Sequence, residues 1–413
     1  MVAEEAKQKI SQIKAGSQQM KIGIVSPYDW SYPGGVREHI RHLAEQFINM
    51  GHDIRVLAPG TETKGILVEE HLFYGMGKTA PMPFNGSIAR IAIDPMLSWR
   101  VRDILQRENF DVLHIHEPLV PGLSITALRF SNTLSVGTFH TFTHPGGITS
   151  PYHLAYASAS PFLRPYFRRL DGHIAVSTAA YQFASRYFPA DYRIIPNGVD
   201  LDRFDGKAQP ISEYMDGKQN ILFVGRFEKR KGARYLLRAI PAIREQHPNT
   251  RFLFVGEGRL RYQFQRYVKR YGLHDVIFTG YVSDAELPRY FATADLFCAP
   301  AITGESMGIV LLEAMAAGKP IVASNIPGYA TVVNSGTDGL LVPPRDSQEL
   351  ANGIGYLLDN EPLRRYFVEA GLRKIGDYAW PRVAGRIMDY YYLLLDERKF
   401  ASSTVSVTYK KRV

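Results

Sequence analysis

Three groups of residues in this chain could do chemistry together. The first is Gly304-Glu305-Ser306-Met307-Gly308-Ile309-Val310, which continues to Glu313 and closes on Gly318, with seven residues between its two carboxylates. The apolar, Ala-rich part reads as a helix that opens near Ser306 and stops at Gly318. Backbone N–H groups at such a mouth point outward and carry partial positive charge, so a phosphorylated ligand can rest there. Carboxylates accept hydrogen bonds from hydroxyl groups. Glu305 at the mouth and Glu313 about two turns inside suit hydroxyl-bearing groups at either end of such a ligand. A capped helix with one acid at a buried edge has the same spacing.

The second group is the run Arg226-Phe227-Glu228-Lys229-Arg230-Lys231-Gly232, four cations against one acid, directly after the apolar stretch Asn220 to Gly225. A diphosphate needs compact cationic neutralisation, bidentate from Arg and point-like from Lys. Arg226 and Lys231 facing the Glu305 helix would match a nucleoside diphosphate and favour its departure as a stabilised anion. A solvated surface turn would have the same composition. With these cations a metal is not required, although magnesium can accompany a diphosphate.

The third group is His114, His116, Glu117 and His140, at or near the ends of apolar runs. In open α/β sheets ligands gather outside the carboxyl ends of strands. His140 reads as functional, and His114 as packed inside. No His pairs with another His or with Cys at a metal-ligand spacing, so no metal site is expected. The single Asp-x-Asp, Asp200 and Asp202, reads as turn chemistry.

These groups need elements to carry them, and 413 residues imply two domains. Met20 to Pro27 reads as a buried parallel strand. Gly34-Gly35 follows, then a helix with Val36, Ile40, Leu43 and Phe47 on one face and Gly51 at its end. His52 to Leu57 is the next strand. This is a Rossmann-like start without GxGxxG, so the nicotinamide fingerprint is absent. Asp111 to Glu117, Leu134 to Phe139 and Gly172 to Ser177 continue the first sheet. A second α/β unit begins at Asn220, with strands at Thr250 to Val255, Val276 to Phe278, Leu296 to Ala299 and Pro320 to Ala323. The expected fold class is α/β, two facing doubly wound domains over 20–198 and 199–379, hinged near 196–205. A helix follows over Trp380 to Leu395, and polar tails occupy 1–19 and 396–413. The cleft between such domains is the default ligand site.

A net charge of +9 points to anionic partners: a phosphorylated cosubstrate or an anionic membrane face. No zinc spacing, RNP-like run or dense basic helix supports nucleic acid. The lone Cys298 excludes intrachain disulfides and agrees with a reducing, cytoplasmic compartment. No apolar run reaches the roughly 18–20 residues of a membrane span, and the first nineteen residues hold no signal-peptide core.

The pieces Pro33-Gly34-Gly35-Val36, Gly225-Arg226 with Lys231-Gly232, and Glu305-x7-Glu313 resemble the signature of family 4 retaining glycosyltransferases with the GT-B fold. The likeness spans about residues 20–395. Asp111 to Pro118, Gly137 to Thr141, Ile195 to Asp200 and Pro83 to Arg90 bring it closest to the branch that mannosylates phosphatidylinositol. The resemblance implies transfer of mannose from GDP-mannose to the inositol of a phosphoinositide lipid, with retention, by a peripheral protein on the inner face of the cell membrane. It implies that Gly35 lends a backbone N–H to the diphosphate and that Arg226 and Lys231 clamp it. Glu305 would position mannose hydroxyls, Met307 to Val310 would line the donor pocket (Met307, Gly308, Ile309, Val310), and Glu313 would hold the ribose. Guanine would lie near Val282 and Asp284, and His140 would bond the sugar near its reacting carbon. Tyr28, Asn85, Ser87 and Arg90 would handle inositol and its phosphate. The last helix would return to the first domain. Met96 to Leu105, with Trp99, Arg100 and Arg102, reads as an interfacial helix or an ordinary surface one, and Arg164, Arg168 and Arg169 could extend a cationic face. Another donor such as a UDP-hexose, another lipid, or a catalytically silent binder on the same fold remain alternatives, and the oligomeric state is not legible.

Overall fold

The computed structural model describes residues 19–32, 34–60, 72–84, 87–142 and 151–410. The first tail up to residue 18, Pro33 and Asn85 lie outside them, as does the side chain of Ser87. The first half runs β1 (Lys21–Val25), α1 (Gly35–Asn49), β2 (Asp53–Ala58), β3 (Phe73–Gly75), a hairpin of β4 (Thr79–Phe84) and β5 (Ser87–Ala92), α2 (Leu97–Glu108), β6 (Val112–His116), α3 (Leu123–Phe130), β7 (Leu134–Phe139), α4 (Pro151–Phe167), β8 (Gly172–Ala175), α5 (Thr178–Tyr187) and β9 (Arg193–Ile194). The second half runs β10 (Gln219–Val224), α6 (Ala233–Gln246), β11 (Thr250–Val255), α7 (Arg261–Arg270), β12 (Val276–Gly280), α8 (Leu287–Thr293), β13 (Leu296–Ala299), α9 (Ile309–Ala316), β14 (Ile321–Ser324), β15 (Leu340–Val342), α10 (Ser347–Asp359), α11 (Glu361–Ile375) and α12 (Trp380–Lys410).

Both halves build a parallel sheet around their first strand. The order is β3-β2-β1-β6-β7-β8-β9 in one and β12-β11-β10-β13-β14-β15 in the other. The central strands are mostly apolar because helices cover both faces of the sheet, although buried polar residues such as His114 and Arg251 lie within them. Each sheet reverses its winding beside its first strand, between β1 and β6 and between β10 and β13. A crevice opens outside the strand ends at such a reversal. The loops after β1, β6, β10 and β13 carry the residues singled out above.

Two expectations change. α9 starts at Ile309, not Ser306, because Gly304 and Gly308 adopt φ of +74° and +84°. That left-handed conformation breaks a helix and favours glycine. A Cβ at Gly308 would also sit 2.5 Å from the Tyr329 ring. Glu305 therefore lies in an irregular turn ahead of the helix, and Glu313 only about one turn inside it. The last helix runs on to Lys410 instead of giving way to a tail at 396. No Gly or Pro interrupts that stretch, and the Arg398 guanidinium ties it to the Asn132 carbonyl at 3.2 Å.

α12 does return to the first domain. Val383, Ile387, Met388 and Tyr391 join the buried cluster of β1, β2 and α1, and the Tyr391 hydroxyl meets His114 Nδ1 at 2.6 Å. At the hinge, Val199 N–H donates to the Tyr378 carbonyl at 2.8 Å. A Cβ on Gly198 would lie 2.4 Å from the Trp380 ring, so the chain crosses there only as glycine. The two halves also touch directly: the Ser177 hydroxyl donates to the Ser306 carbonyl at 2.5 Å.

Candidate active site

Between the halves lies a cleft of about 460 Å³. The basic loop forms one wall. Gly232 has φ +70°, and a Cβ there would sit 1.8 Å from the Pro300 carbonyl oxygen. This close approach seats the tight turn Lys229–Lys231 against the loop that leaves β13. Lys231 Nζ reaches Glu305 Oε1 at 2.9 Å, and Arg230 Nη1 reaches the same oxygen at 2.5 Å. Glu228 takes Arg230 Nε at 3.0 Å and Arg226 Nη1 at 3.1 Å. Three cations thus share two carboxylates and leave one positive charge over. Arg230 was not singled out from the sequence. Composition marks the run as basic, but only the turn decides which cations face Glu305.

Glu305 is 8% exposed. Burial opposes its ionisation, but Lys231 and Arg230, with Arg226 behind them, outweigh that and hold its carboxyl below the ordinary value. Glu313 has no such partner within reach. Burial pushes its carboxyl up to about 7, with Arg203 opposing and Asp284 adding to the rise.

Gly35 opens α1 on the opposite wall, where a Cβ would lie 3.8 Å from Ile309 Cδ1. Two helix mouths therefore face the same space, and neither Gly34 nor Gly308 caps its helix with a side chain. The N–H groups of a helix's first turn lack intrahelical partners and suit an anion. Gly308, Ile309 and Val310 line the cleft beside Arg226, Lys231 and Glu305. Asp284 stands at the rim, where its carbonyl accepts from Arg203 Nε at 2.9 Å. Val282 packs partly buried against the second domain's core. Met307 belongs to that core, 2% exposed, and its sulfur accepts from the Asn197 N–H at 3.3 Å; it does not line the cleft. Asp200 accepts from the Arg203 N–H at 3.2 Å, which is turn chemistry.

His140 closes the cleft's inner end as part of an imidazole cluster that sequence spacing did not reveal. Its Nε2 lies 2.9 Å from His116 Nδ1, and its backbone N–H donates to Glu117 Oε1 at 2.8 Å. His39 Nδ1 meets Asn197 Oδ1 at 2.8 Å. His39 Nε2 and His116 Nε2 are buried with no partner among the described residues. A buried N–H left unpaired is rarer than an unpaired acceptor. The economical tautomers therefore place the proton of His39 and of His116 on Nδ1. His116 then donates to His140 Nε2, and His140 carries its own proton on Nδ1. Burial holds His116 and His140 well below the ordinary imidazole value, with neighbouring His side chains adding to the effect. Both rings are neutral at physiological pH. Ring nitrogens of His39, His116 and His140 lie within 4.8 Å of one another, a grouping that could hold a metal ion. The one available signal was His39 itself, a polar residue on the apolar face of α1.

Of the residues expected on the acceptor side, Tyr28 and Arg90 are among those described. Tyr28 is partly buried, and burial and then the nearby Glu117 push its phenol well up. The Asp29 N–H donates to the Arg90 carbonyl at 2.9 Å, which ties the hairpin to the loop after β1. The Arg90 guanidinium lies 4.6 Å from the Tyr32 ring centre. On the outer layer, Met96 and Trp99 are 51% and 62% exposed. Arg100 pairs with Asp94 at 3.4 Å, and Arg102 stacks on Phe130 at 4.6 Å. Arg164, Arg168 and Arg169 are exposed; the Leu128 and Ser131 carbonyls fix the Arg169 guanidinium at 2.8 and 2.9 Å without neutralising its charge. Among the described residues no helix is long and apolar enough to cross a membrane.

Comparison with known proteins adds to this geometry. Residues 33–203 match the family described as Glycosyltransferase Family 4, and residues 207–374 match Glycosyl transferases group 1. A Mycobacterium leprae protein named phosphatidyl-myo-inositol mannosyltransferase is 39% identical over 376 residues, 90% of this chain and 96% of that one. Its namesake from Mycobacterium tuberculosis is 38% identical over 377 residues, with the same coverage. Among solved structures, a glycosyltransferase from Rickettsia africae superimposes with a TM-score of 0.73 at 20% identity, covering 92% of this chain and 99% of that one. Sucrose-phosphate synthase from Thermosynechococcus elongatus gives 0.74 at 21% identity, covering 92% and 100%. At that identity the likeness concerns the fold, which is GT-B.

Proposed function

From the premise that the chain belongs to glycosyltransferase family 4, we propose that it moves mannose from GDP-mannose to the inositol of a phosphatidylinositol-type lipid, with retention of configuration. The observation that carries this is one cleft holding a compact cationic turn, a buried carboxylate and two uncapped helix mouths, with an imidazole cluster at its inner end. The named relatives support the sugar and the lipid. The donor base rests on the resemblance alone.

In this reading Arg226 and Lys231 take the diphosphate, with Arg230 behind them. The N–H groups at Gly35 and at the start of α9 take its remaining oxygens. Glu313 accepts from the ribose hydroxyls, and Val282 and Asp284 border the base. Arg230 and Lys231 hold Glu305 ionised, so it acts as a pure acceptor for mannose hydroxyls. His140, neutral and protonated on Nδ1, donates to the sugar beside its reacting carbon. Charge that develops on the departing diphosphate meets donors already in place. The acceptor hydroxyl attacks from the face the diphosphate leaves, and a phosphate oxygen takes its proton. Glu38, the carboxylate on the α1 wall of the cleft, is engaged by Arg41 at 2.8 Å, so the reading does not use the paired-acid scheme of glycosidases. The cations carry the neutralisation, so no metal is required, and magnesium can accompany the diphosphate.

A lipid acceptor puts the reaction at a membrane surface, and the resemblance implies its cytoplasmic face. Exposed Met96 and Trp99 on the α2 layer support contact with a bilayer. The test is incubation with GDP-mannose and vesicles containing phosphatidylinositol. Equimolar GDP and an α-mannosylated lipid are expected. Release of GDP only from water attack, or turnover confined to a UDP-hexose, would refute the assignment.

A further inference from the structure

The first domain holds a second cavity, of about 320 Å³, separate from the donor cleft. Its walls are almost wholly apolar. Ala155, Ala159 and Leu163 come from successive turns of α4, and Leu119, Phe139 and Phe183 from the layer beneath. Glu117 and Thr141 form its polar end. Glu117 Oε1 accepts from the Thr141 hydroxyl at 2.7 Å and from the His140 N–H at 2.8 Å. This chamber and the donor cleft therefore share one partition, the Glu117–His140 contact. Met82 of the hairpin also borders it, so the hairpin that carries Arg90 reaches both the chamber and the acceptor side.

α4 is apolar on its outer face too. Leu154 and Phe162 are 66% and 78% exposed. The same helix carries exposed Ser158 and Arg164, but large apolar side chains this exposed mark a contact surface. Here one side is the chamber. On the other, α4 shares its layer with α2, and both pack on α3 through one apolar cluster. Met96 and Trp99 of that layer are exposed as well. Such a layer fits a lipid surface.

We infer that this chamber takes one acyl chain of the acceptor lipid, drawn beneath α4 from the bilayer while the head group stands at His140. The inference rests on the reading of the acceptor as a lipid. An apolar cavity of ~150 Å³ accommodates a benzene ring, so a chamber twice that size takes roughly a dozen chain carbons. The occupant is a chain and not a soluble apolar molecule, because Glu117 and Thr141 give the cavity a polar end that adjoins the candidate reaction site.

The test uses the full-length protein without donor. Isothermal titration measures binding of monoacyl glycerophosphoinositols with chains of six to fourteen carbons, each below its micellar concentration. Affinity is expected to rise roughly fourfold per methylene and to level off near a dozen carbons. Ala159→Trp fills the chamber from a half-buried position. It is expected to abolish the chain-length dependence while GDP binding and melting temperature stay at wild-type values. Ala155→Phe serves if that variant does not fold. A flat series in the wild type, or an unchanged series in a folded variant, overturns the inference. A matching monoacyl glycerophosphocholine series separates the two readings. Equal dependence in both series, with no mannosylation of either, leaves the chamber standing and removes the inositol acceptor.

Discussion

Replacing Glu305 by Gln keeps the side chain's shape and removes its charge, and the consequences run in opposite directions for binding and turnover. In the wild type one oxygen of Glu305 receives Lys231 at 2.9 Å and Arg230 at 2.5 Å. Pairs at about 4 Å interact by about 4 kcal/mol at an effective dielectric of 20. Both cations are partly spent on Glu305. Freeing them raises the attraction for a diphosphate in the same cleft. If about a third of one such interaction is recovered, affinity for GDP rises about tenfold. Turnover falls, because Glu305 no longer orders the transferred sugar. Loss of one fixed polar group at a reacting centre costs about 100-fold to 1,000-fold. The free protein also melts lower, because breaking a buried pair costs about 3–5 kcal/mol, and GDP restores much of the loss by mass action. The carboxyl lies below its ordinary value of 4.5. Its stabilisation is therefore full above that value and fades as pH falls through the depressed one, so the gap in melting temperature between wild type and variant closes in acid. Titration calorimetry with GDP, initial rates with GDP-mannose and a pH series of melts measure all three. Turnover near wild type, or GDP affinity that drops in step with turnover, would refute the reasoning and leave Glu305 a structural counter-ion.

Three further outcomes follow from the same geometry. With Glu313 near 7 in the empty cleft and the ribose bound by its ionised form, donor affinity should rise about tenfold from pH 6 to pH 8; Glu313→Gln should flatten that slope, and an unchanged slope would assign it elsewhere. His116→Phe removes the donor that sets the His140 tautomer and should lower kcat about tenfold, the worth of one hydrogen bond, at constant donor KM. His116→Asn, which returns an N–H at the same place, should recover most of it, and failure of the rescue would argue for a packing role alone. Gly198→Ala drives a methyl group into the Trp380 ring, 2.4 Å away, and should lower both the melting temperature and the rate, while Gly385→Ala, where a methyl would meet open space, should leave the rate unchanged.

Much of this architecture is legible in the sequence, and the misses have physical causes. Thr250–Val255 and Leu134–Phe139 emerge as strands at the expected bounds, because each is a short, mostly apolar run buried along its whole length. The start of α9 is not legible in the sequence because glycine reads equally well inside a loop or at a helix mouth, and only the φ of +84° at Gly308 decides. The role of Arg230 is hidden in the sequence because the four cations of one short run look alike until a tight turn aims two of them at Glu305. The imidazole cluster is invisible in the sequence because His39 comes from a helix, His116 from the end of β6 and His140 from the loop after β7, and only the packing of α1 on the sheet unites them. Met307 was placed among the donor-lining residues by its neighbours in the chain, yet the turn that exposes Glu305 and Gly308 points the side chain between them into the core.

The most direct test of the central claim is a crystal structure with intact GDP-mannose bound. The account predicts both phosphates within hydrogen-bond distance of Arg226 and Lys231, with the ribose on Glu313 and the mannose between Glu305 and His140. A nucleotide seated elsewhere, or diphosphate oxygens that touch neither the basic turn nor the mouth of α9, would contradict it.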